Sequence, residues 1–463
     1  MQDAHVAVLD IGKTNMKLLV ATADGVPVDQ ISRVNDCWLA KPYAAIDVAR
    51  ILGWFLDELP AMAKKHRIGA IIATSHACTG HLCDADGPVL PMMDYEAISP
   101  LDVDAAYLKI APSYAETMTG IGPGAMRIAK QLLWQQMHFG RDFARASFFL
   151  TLPQYVAWRL GGRPASEITQ IAAQSHLWAP LERDFSSVIK SQGWTRLFPP
   201  FALAGESLGA LAPEIAARTG LAPQTRVLCG VHDSNANLYR YKAAGMAEST
   251  IFSTGTWMIG FERTRSLATA DPARAMVSNI DVDGAPVASS LTMAGREYAI
   301  LAGEGNCTDA EALAHVPALL ARGTFALPSF VKDDGLFPGS AGKGRIAGPP
   351  PATVAERRAL AATYAAFTAH FCLDALESDA QRIVIDGGFA ANRAFAALLA
   401  ALRAPQPVSV SASKDGTALG AALLWKKFDR TAPVGSVALE PVAPASIAGL
   451  KQAAMEWARL AQG

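Results

Sequence analysis

The chain has 463 residues, 51% of them hydrophobic and 18% charged, with a formal net charge of −1. That length points to two large domains, and the balanced charge argues against a broad nucleic-acid or anionic-membrane surface. Six cysteines in so long a chain do not make a disulfide framework and read as reduced thiols.

No basic stretch precedes the first apolar run, and no charge-free apolar stretch is long enough to span a membrane. The expectation is a cytoplasmic monomer or homodimer that takes a small molecule and has no nucleic-acid or membrane partner.

In chain order, "HVAVLDI", "MKLLVAT" and "PVDQISRV" read as three strands joined by Gly-containing turns. An amphipathic helix is predicted from Asp47 to about Lys64, followed by the buried strand "IGAIIATSH" and the short extended piece "GPVLPMMDY". Helical spacing dominates from Met126 to Leu160, with a break near Gly140. "TRVLCGVHDSNANLY" returns to a buried strand ending at Asp233.

The pattern then restarts. "STIFSTGTWMIGFER" is strand, turn, strand; "MVSNIDV" and "PVASSLTMAG" continue the sheet; the Gly- and Pro-rich stretch from Phe330 to Pro351 is a loop. A long helix begins near "ATVAERRAL". "RIVIDGGFAANRAFAALLAALRA" is strand, turn, helix, and "PVSVSA" with "GTALGAALLWKKF" closes the chain. The same order of elements in both halves predicts a duplicated α/β domain, divided as residues 1–240 and 241–463, with a ligand cleft between the halves.

Four turns carry candidate chemistry. At the first, Asp10, Gly12, Lys13, Thr14, Asn15 and Lys17 crowd a strand–turn–strand tip. Backbone N–H groups and lysines there suit phosphate, and Asp10 suits magnesium or its water; a polar hairpin tip is the plainer alternative. At the second, Thr254, Gly255 and Thr256 surround a similar turn, which is either an ordinary hairpin or a second phosphate grip. At the third, Gly387 and Gly388 follow a buried strand and allow close approach of a nucleotide base or ribose, while Asn392 either joins that site or caps the next helix. At the fourth, "LCGVHDSNA" places Asp233 at a strand end, as a general base or as a helix cap.

In this order the four stretches resemble the FGGY family of carbohydrate kinases, over roughly residues 5 to 425. Asp10, Gly12, Thr14 and Lys17 match the family's first phosphate motif, with Lys13 a departure; Thr254, Gly255 and Thr256 match the second. Gly387, Gly388 and Asn392 match the adenosine motif, Gly230 and Asp233 the setting of the catalytic aspartate, and "DGTALGAALL" the closing helix. The resemblance implies an actin-like, ribonuclease-H-like duplicated fold and ATP with Mg2+ as cofactors. It implies phosphates at the two turns, Asp10 and Asp233 near the metal, and Asp233 as the base that activates a sugar hydroxyl.

The Gly-Thr-Trp turn resembles the L-rhamnulose and L-fuculose kinase branch, which implies an L-ketose. Ser75, His76, Asp94, Tyr95 and Glu96 are the candidate sugar contacts, although Met92 and Glu96 stand where the family's segment has tryptophan and arginine. An actin- or heat-shock-like ATPase without a sugar, and a sugar sensor without turnover, are the rival classes. Two other motifs lack the expected spacing: His76, Cys78, His81 and Cys83 for zinc, and "GSAGKGR" at Lys343 for a Walker loop.

Overall fold

The computed structural model describes residues 4–429 and 437–463. The chain forms two compact units. One comprises Met1–Met246, Ser278–Pro286 and Asp415–Ser436; the other comprises Ala247–Val277, Val287–Lys414 and Val437–Gly463. Two segments of the second half thus belong to the first unit, which a single division at 240/241 does not anticipate.

In the first unit, β1 (His5–Ile11), β2 (Asn15–Ala21) and β3 (Pro27–Val34) form an antiparallel meander. Short strands β4 (Trp38–Leu39) and β5 (Ala45–Ile46) lead into helix α1 (Val48–Lys65). The α1 helix starts where the Asp47 carboxylate accepts from the Arg50 N–H, and its Ile51, Phe55 and Leu59 are fully buried in the core. After it, β6 (Ile68–Ser75) runs parallel to β1. Strand β7 (Met92–Met93) pairs with β5 in a small three-stranded sheet with β4.

Strands β8 (Ser207–Ala210), β9 (Arg226–Leu228) and β10 (Val231–His232) complete the main sheet, in the order β8-β9-β6-β1-β2-β3, with β10 continuing beside β6. Helix α2 (Asp233–Ala243) starts directly from β10.

The second unit repeats this order. Its strands are β11 (Ser249–Thr254), β12 (Met258–Glu262), β13 (Pro286–Thr292), β14 (Arg382–Gly387), β15 (Val408–Ser411) and β16 (Leu439–Pro441), arranged β13-β12-β11-β14-β15-β16, with the strand Met276–Ile280 at the edge beside β13. As in the first sheet, three antiparallel strands are followed by two parallel additions and an antiparallel edge. The core of this unit forms around α4 (Val354–Ala375), whose alanine-rich surface is buried on nearly all sides. Helices α3 (Ala294–Ala302) and α5 (Arg393–Arg403) pack against it.

Helix α6 (Gly416–Leu423) returns to the first unit and lies on α2. A Cβ on Gly420 would sit 1.9 Å from the Ala236 carbonyl oxygen, so only glycine lets the two helix backbones meet this closely.

Two expectations need correction. The region from Met126 to Leu160 contains a strand, Phe148–Thr151, between its helices. The strand expected to run unbroken to Asp233 is interrupted at Cys229 and Gly230, and Asp233 is the first residue of α2.

Candidate active site

The parallel strands of the first sheet bring their carboxyl ends together, the usual place for ligands in such sheets. Asp10 on β1 pairs in register with Thr74 on β6, and Val231 and His232 on β10 pair with Thr74 and Ser75. The backbone must pass very close at Gly230. A Cβ there would lie 2.5 Å from the Ala73 carbonyl oxygen and 2.5 Å from Pro153 Cβ, and the Gln154 amide donates to the Gly230 carbonyl at 3.0 Å. This fixes the approach to Asp233.

Asp233 is held by one oxygen. Its Oδ1 accepts from the Ser234 backbone N–H at 2.5 Å and the Ser234 hydroxyl at 3.1 Å, and lies 3.2 Å from His232 Nε2. Burial holds His232 below the ordinary imidazole value, with the Asp233 charge opposing that shift. The ring is therefore neutral near pH 7, and its Nε2 can donate to the carboxylate.

Two groups of side chains feel the charge of Asp233. One comprises Asp10, Lys17 and Asp415. Burial pushes the Asp10 carboxyl up to about 7, the charges of Asp233 and Asp415 add to that rise, and Lys17 opposes it. Lys17 is ion-paired with Asp415 just before α6. Carboxylates are the hard oxygen donors that Mg2+ prefers, and a cation near Asp10 would relieve the charge that raises its pKa, although among the described residues no three acidic, histidine or cysteine side chains are drawn together closely enough to form a metal site.

The other group comprises Lys13, His76, Asp94, Tyr95 and Glu96. Burial lowers the His76 pKa; the bond to the Ala77 carbonyl and the charges of Asp233 and Asp94 oppose this, and Lys13 adds to it. His76 lies edge-on to Tyr95, ring centroids 5.4 Å apart. The Tyr95 phenol is raised by burial first, then by Glu96, Asp94, Cys78 and Asp233. Asp233 thus acts electrostatically on residues of both groups.

The remaining residues of the first turn shape it. The Gly12 N–H donates to the Asn15 carbonyl at 2.9 Å, and Thr14 and Asn15 are exposed at the tip. Ser75 departs from its expected part: it is fully buried and its hydroxyl donates to the His76 carbonyl at 2.7 Å, so it holds the His76 backbone and is not open to a ligand.

In the second unit, Gly255 and Thr256 are exposed at the turn between β11 and β12. The Thr254 side chain does not face outward. It is buried, its hydroxyl donates to the Asp386 carbonyl at 2.5 Å, and it accepts from the Phe389 N–H at 3.0 Å. Thr254 therefore ties β11 to the turn after β14.

There Gly387 and Gly388 form an exposed shelf. Gly387 has φ +87°, and a Cβ on it would lie 2.1 Å from the Thr254 carbonyl oxygen. Asn392 caps α5, its side chain accepting from the Phe395 N–H at 2.9 Å. The turn geometry is a backbone surface suited to an anion or a planar ring.

The cysteines and histidines of "HACTGHLCD" have separate partners. Cys78 donates to the Ala173 carbonyl, His81 Nδ1 meets the Leu90 carbonyl at 3.0 Å, and Cys83 donates to the His81 carbonyl. Lys343 lies in a loop whose N–H groups bond back to neighbouring carbonyls.

Two residues of these groups were not identified from sequence. Asp415 stood inside the quoted "DGTALG" stretch, but only its contact with Lys17 gives it a part. Trp38, 4.5 Å from the Lys13 ammonium to its ring centroid, had no sequence signal.

Comparison with known proteins accounts for this arrangement. Residues 5–239 match the model of the FGGY family of carbohydrate kinases, N-terminal domain, and residues 246–433 match that of the carbohydrate kinase FGGY C-terminal domain. The structure of a carbohydrate kinase from Novosphingobium aromaticivorans is 32% identical with TM-score 0.87, covering 100% of this chain and 99% of that one. A ligand-bound xylulose kinase from Lactobacillus acidophilus shares the fold at TM-score 0.81 and 16% identity, over 99% of this chain and 96% of that one.

Among curated proteins, an L-fuculokinase from Salmonella typhi is 26% identical over 280 residues, which is 58% of this chain and 59% of the relative. The match thus spans little more than half of that relative's length. With both family models matched in order and the duplicated sheets in place, the chain belongs to the FGGY family of carbohydrate kinases and has its two-domain, actin-like α/β fold.

Proposed function

We propose that this protein transfers the γ-phosphoryl group of ATP to a hydroxyl of a carbohydrate, and that the acceptor is an L-ketose. The observation that carries the reading is Asp233 at the carboxyl end of β10 and the start of α2, its charge felt by Asp10 in one group and by His76 and Tyr95 in the other. A general base for phosphoryl transfer needs that arrangement: acceptor on one side, cation and phosphates on the other.

Oδ1 of Asp233 is occupied by Ser234 and His232, so Oδ2 is the oxygen we assign to take the acceptor proton. Asp10, Asp233 and Asp415 are the residues that would hold Mg2+. When bound, the metal supplies positive charge against the phosphate oxygens. Lys17 is set beside the same carboxylates and orients Asp415. The exposed turn at Gly255 and Thr256, whose Gly255 N–H is bonded to the Trp257 carbonyl, suits phosphate oxygens, and the Gly387–Gly388 shelf suits the adenosine. His76, Asp94, Tyr95 and Glu96 are the acceptor contacts.

Support for the L-ketose comes from the L-fuculokinase relatives from Salmonella typhi and Haemophilus influenzae, each 26% identical over the matched part, and from the Gly255–Thr256–Trp257 turn. The test is ADP release from magnesium ATP across L- and D-ketoses, aldoses and polyols. One L-ketose should have the highest kcat/KM, because a pocket built to bond particular hydroxyls discriminates strongly against analogues that lack them. Glycerol or an aldose as best acceptor would overturn the ketose assignment. ADP release indifferent to every carbohydrate would overturn the kinase assignment.

A further inference from the structure

Lys13 stands in the phosphate turn by sequence, but its ammonium is turned toward the residues assigned to the acceptor. Its Nζ lies 2.5 Å from Asp94 Oδ1 and 3.5 Å from Glu96 Oε2. It also lies 4.5 Å from the Trp38 ring centroid and 4.6 Å from that of Tyr95. Trp38 comes from β4 and Asp94 follows β7, so the small three-stranded sheet of the first unit frames the ammonium. Lys17, on β2, has a different setting: it pairs with Asp415 and bears on Asp10. The two lysines of one hairpin therefore serve different groups.

We propose that Lys13 is a specificity-determining residue of the acceptor pocket, donating to an acceptor hydroxyl beside the Asp94 carboxylate, and that the pocket takes a neutral polyhydroxy acceptor in preference to a sugar acid. This rests on the kinase reading above. A lysine ammonium has three donor hydrogens. Asp94 takes one of them and Glu96 adds an ion pair at 3.5 Å, which holds the ammonium in place with a donor left for a ligand oxygen. A carboxylate oxygen of Asp94 next to it accepts from a neighbouring hydroxyl, so the pair reads two adjacent hydroxyls at once.

The charge balance points the same way. Lys13 is one cation against Asp94 and Glu96, with the charge of Asp233 acting on His76 and Tyr95 of the same group. A carboxylated sugar would enter a site with an excess of negative charge. A triphosphate would meet an ammonium already neutralised by two carboxylates, so Lys13 is poorly set to bind the nucleotide.

The experiment is steady-state kinetics of wild type, Lys13→Ala, Lys13→Thr and Lys13→Arg with the best acceptor and with ATP. Lys13→Ala and Lys13→Thr should raise the acceptor KM by about 10-fold or more, since a lost hydrogen bond to a charged group has that scale. The ATP KM should stay within about 2-fold, because no nucleotide contact is lost. Lys13→Arg keeps the charge and the aromatic contacts and should restore part of the acceptor affinity, which separates a lost contact from a misfolded loop.

In wild type, the neutral acceptor should have a higher kcat/KM than the sugar acid of the same carbon skeleton. A raised ATP KM with unchanged acceptor KM would overturn the proposal, as would parallel changes in both, no change in either, or a preference for the acid. If wild type releases ADP equally without carbohydrate, the kinase reading falls and this proposal with it. If wild type is an active kinase and the variants keep its acceptor KM, only the Lys13 proposal falls.

Discussion

Asp10 carries the largest conflict among the candidate site residues: a carboxyl pushed up to about 7 by burial and by its carboxylate neighbours. Its folded-state pKa is raised, so its stabilising contribution is complete below about 4 and is lost as pH rises through about 7. Asp10→Asn removes that loss. Without magnesium, the variant should match wild type at pH 3.5 and exceed it at pH 8 by a few kcal/mol, about 1.4 kcal/mol for each pKa unit of the rise, with activity lost. Urea unfolding at the two pH values measures this, and a variant less stable than wild type at pH 8 would remove Asp10 as a strained carboxylate.

His232 has a gentler part. Its Nε2 meets Asp233 Oδ1 at 3.2 Å, so His232→Ala should lower kcat by about 10-fold through loss of orientation, and His232→Gln should restore some of it. Equal rates in all three proteins would leave the ring as packing alone.

Among elements, the strands and their turns were readable because glycine and small polar residues break strongly apolar runs at Gly12, Gly255 and Gly387. The contacts beyond those turns were not. Nothing local distinguishes Thr254, whose hydroxyl is spent on β14, from Thr256, which is exposed. The strand Phe148–Thr151 was missed because apolar residues on both sides keep helical spacing; its pairing with the distant Gly80–Cys83 stretch decides its form.

The contact of α2 with α6 was equally hidden, since Ala236 and Gly420 are far apart in sequence. Gly420→Ala would place a methyl carbon 1.9 Å from the Ala236 oxygen, so it should destabilise the protein by about 1–3 kcal/mol and displace Asp233 and Asp415 at the helix starts. A thermal melt unchanged by this substitution would contradict the close packing.

For the whole molecule, the duplicated order of strands was legible in the sequence, and both sheets have it. The return of the segment from Asp415 to Asp429 to the first unit was not legible, because composition does not change at Asp415. Yet that return brings Asp415 into its ion pair with Lys17 and places its charge where it raises the Asp10 pKa. Among the described residues no helix is long and apolar enough to cross a membrane.

The account depends most on Asp233 as the base that joins the two groups. The most direct test is acceptor-dependent turnover of Asp233→Asn, with ATP binding measured on the same preparation. The substitution keeps the shape and removes the proton acceptor. Turnover should fall by about 10² to 10⁴ while ATP still binds. Turnover near that of wild type in the folded variant would contradict the account.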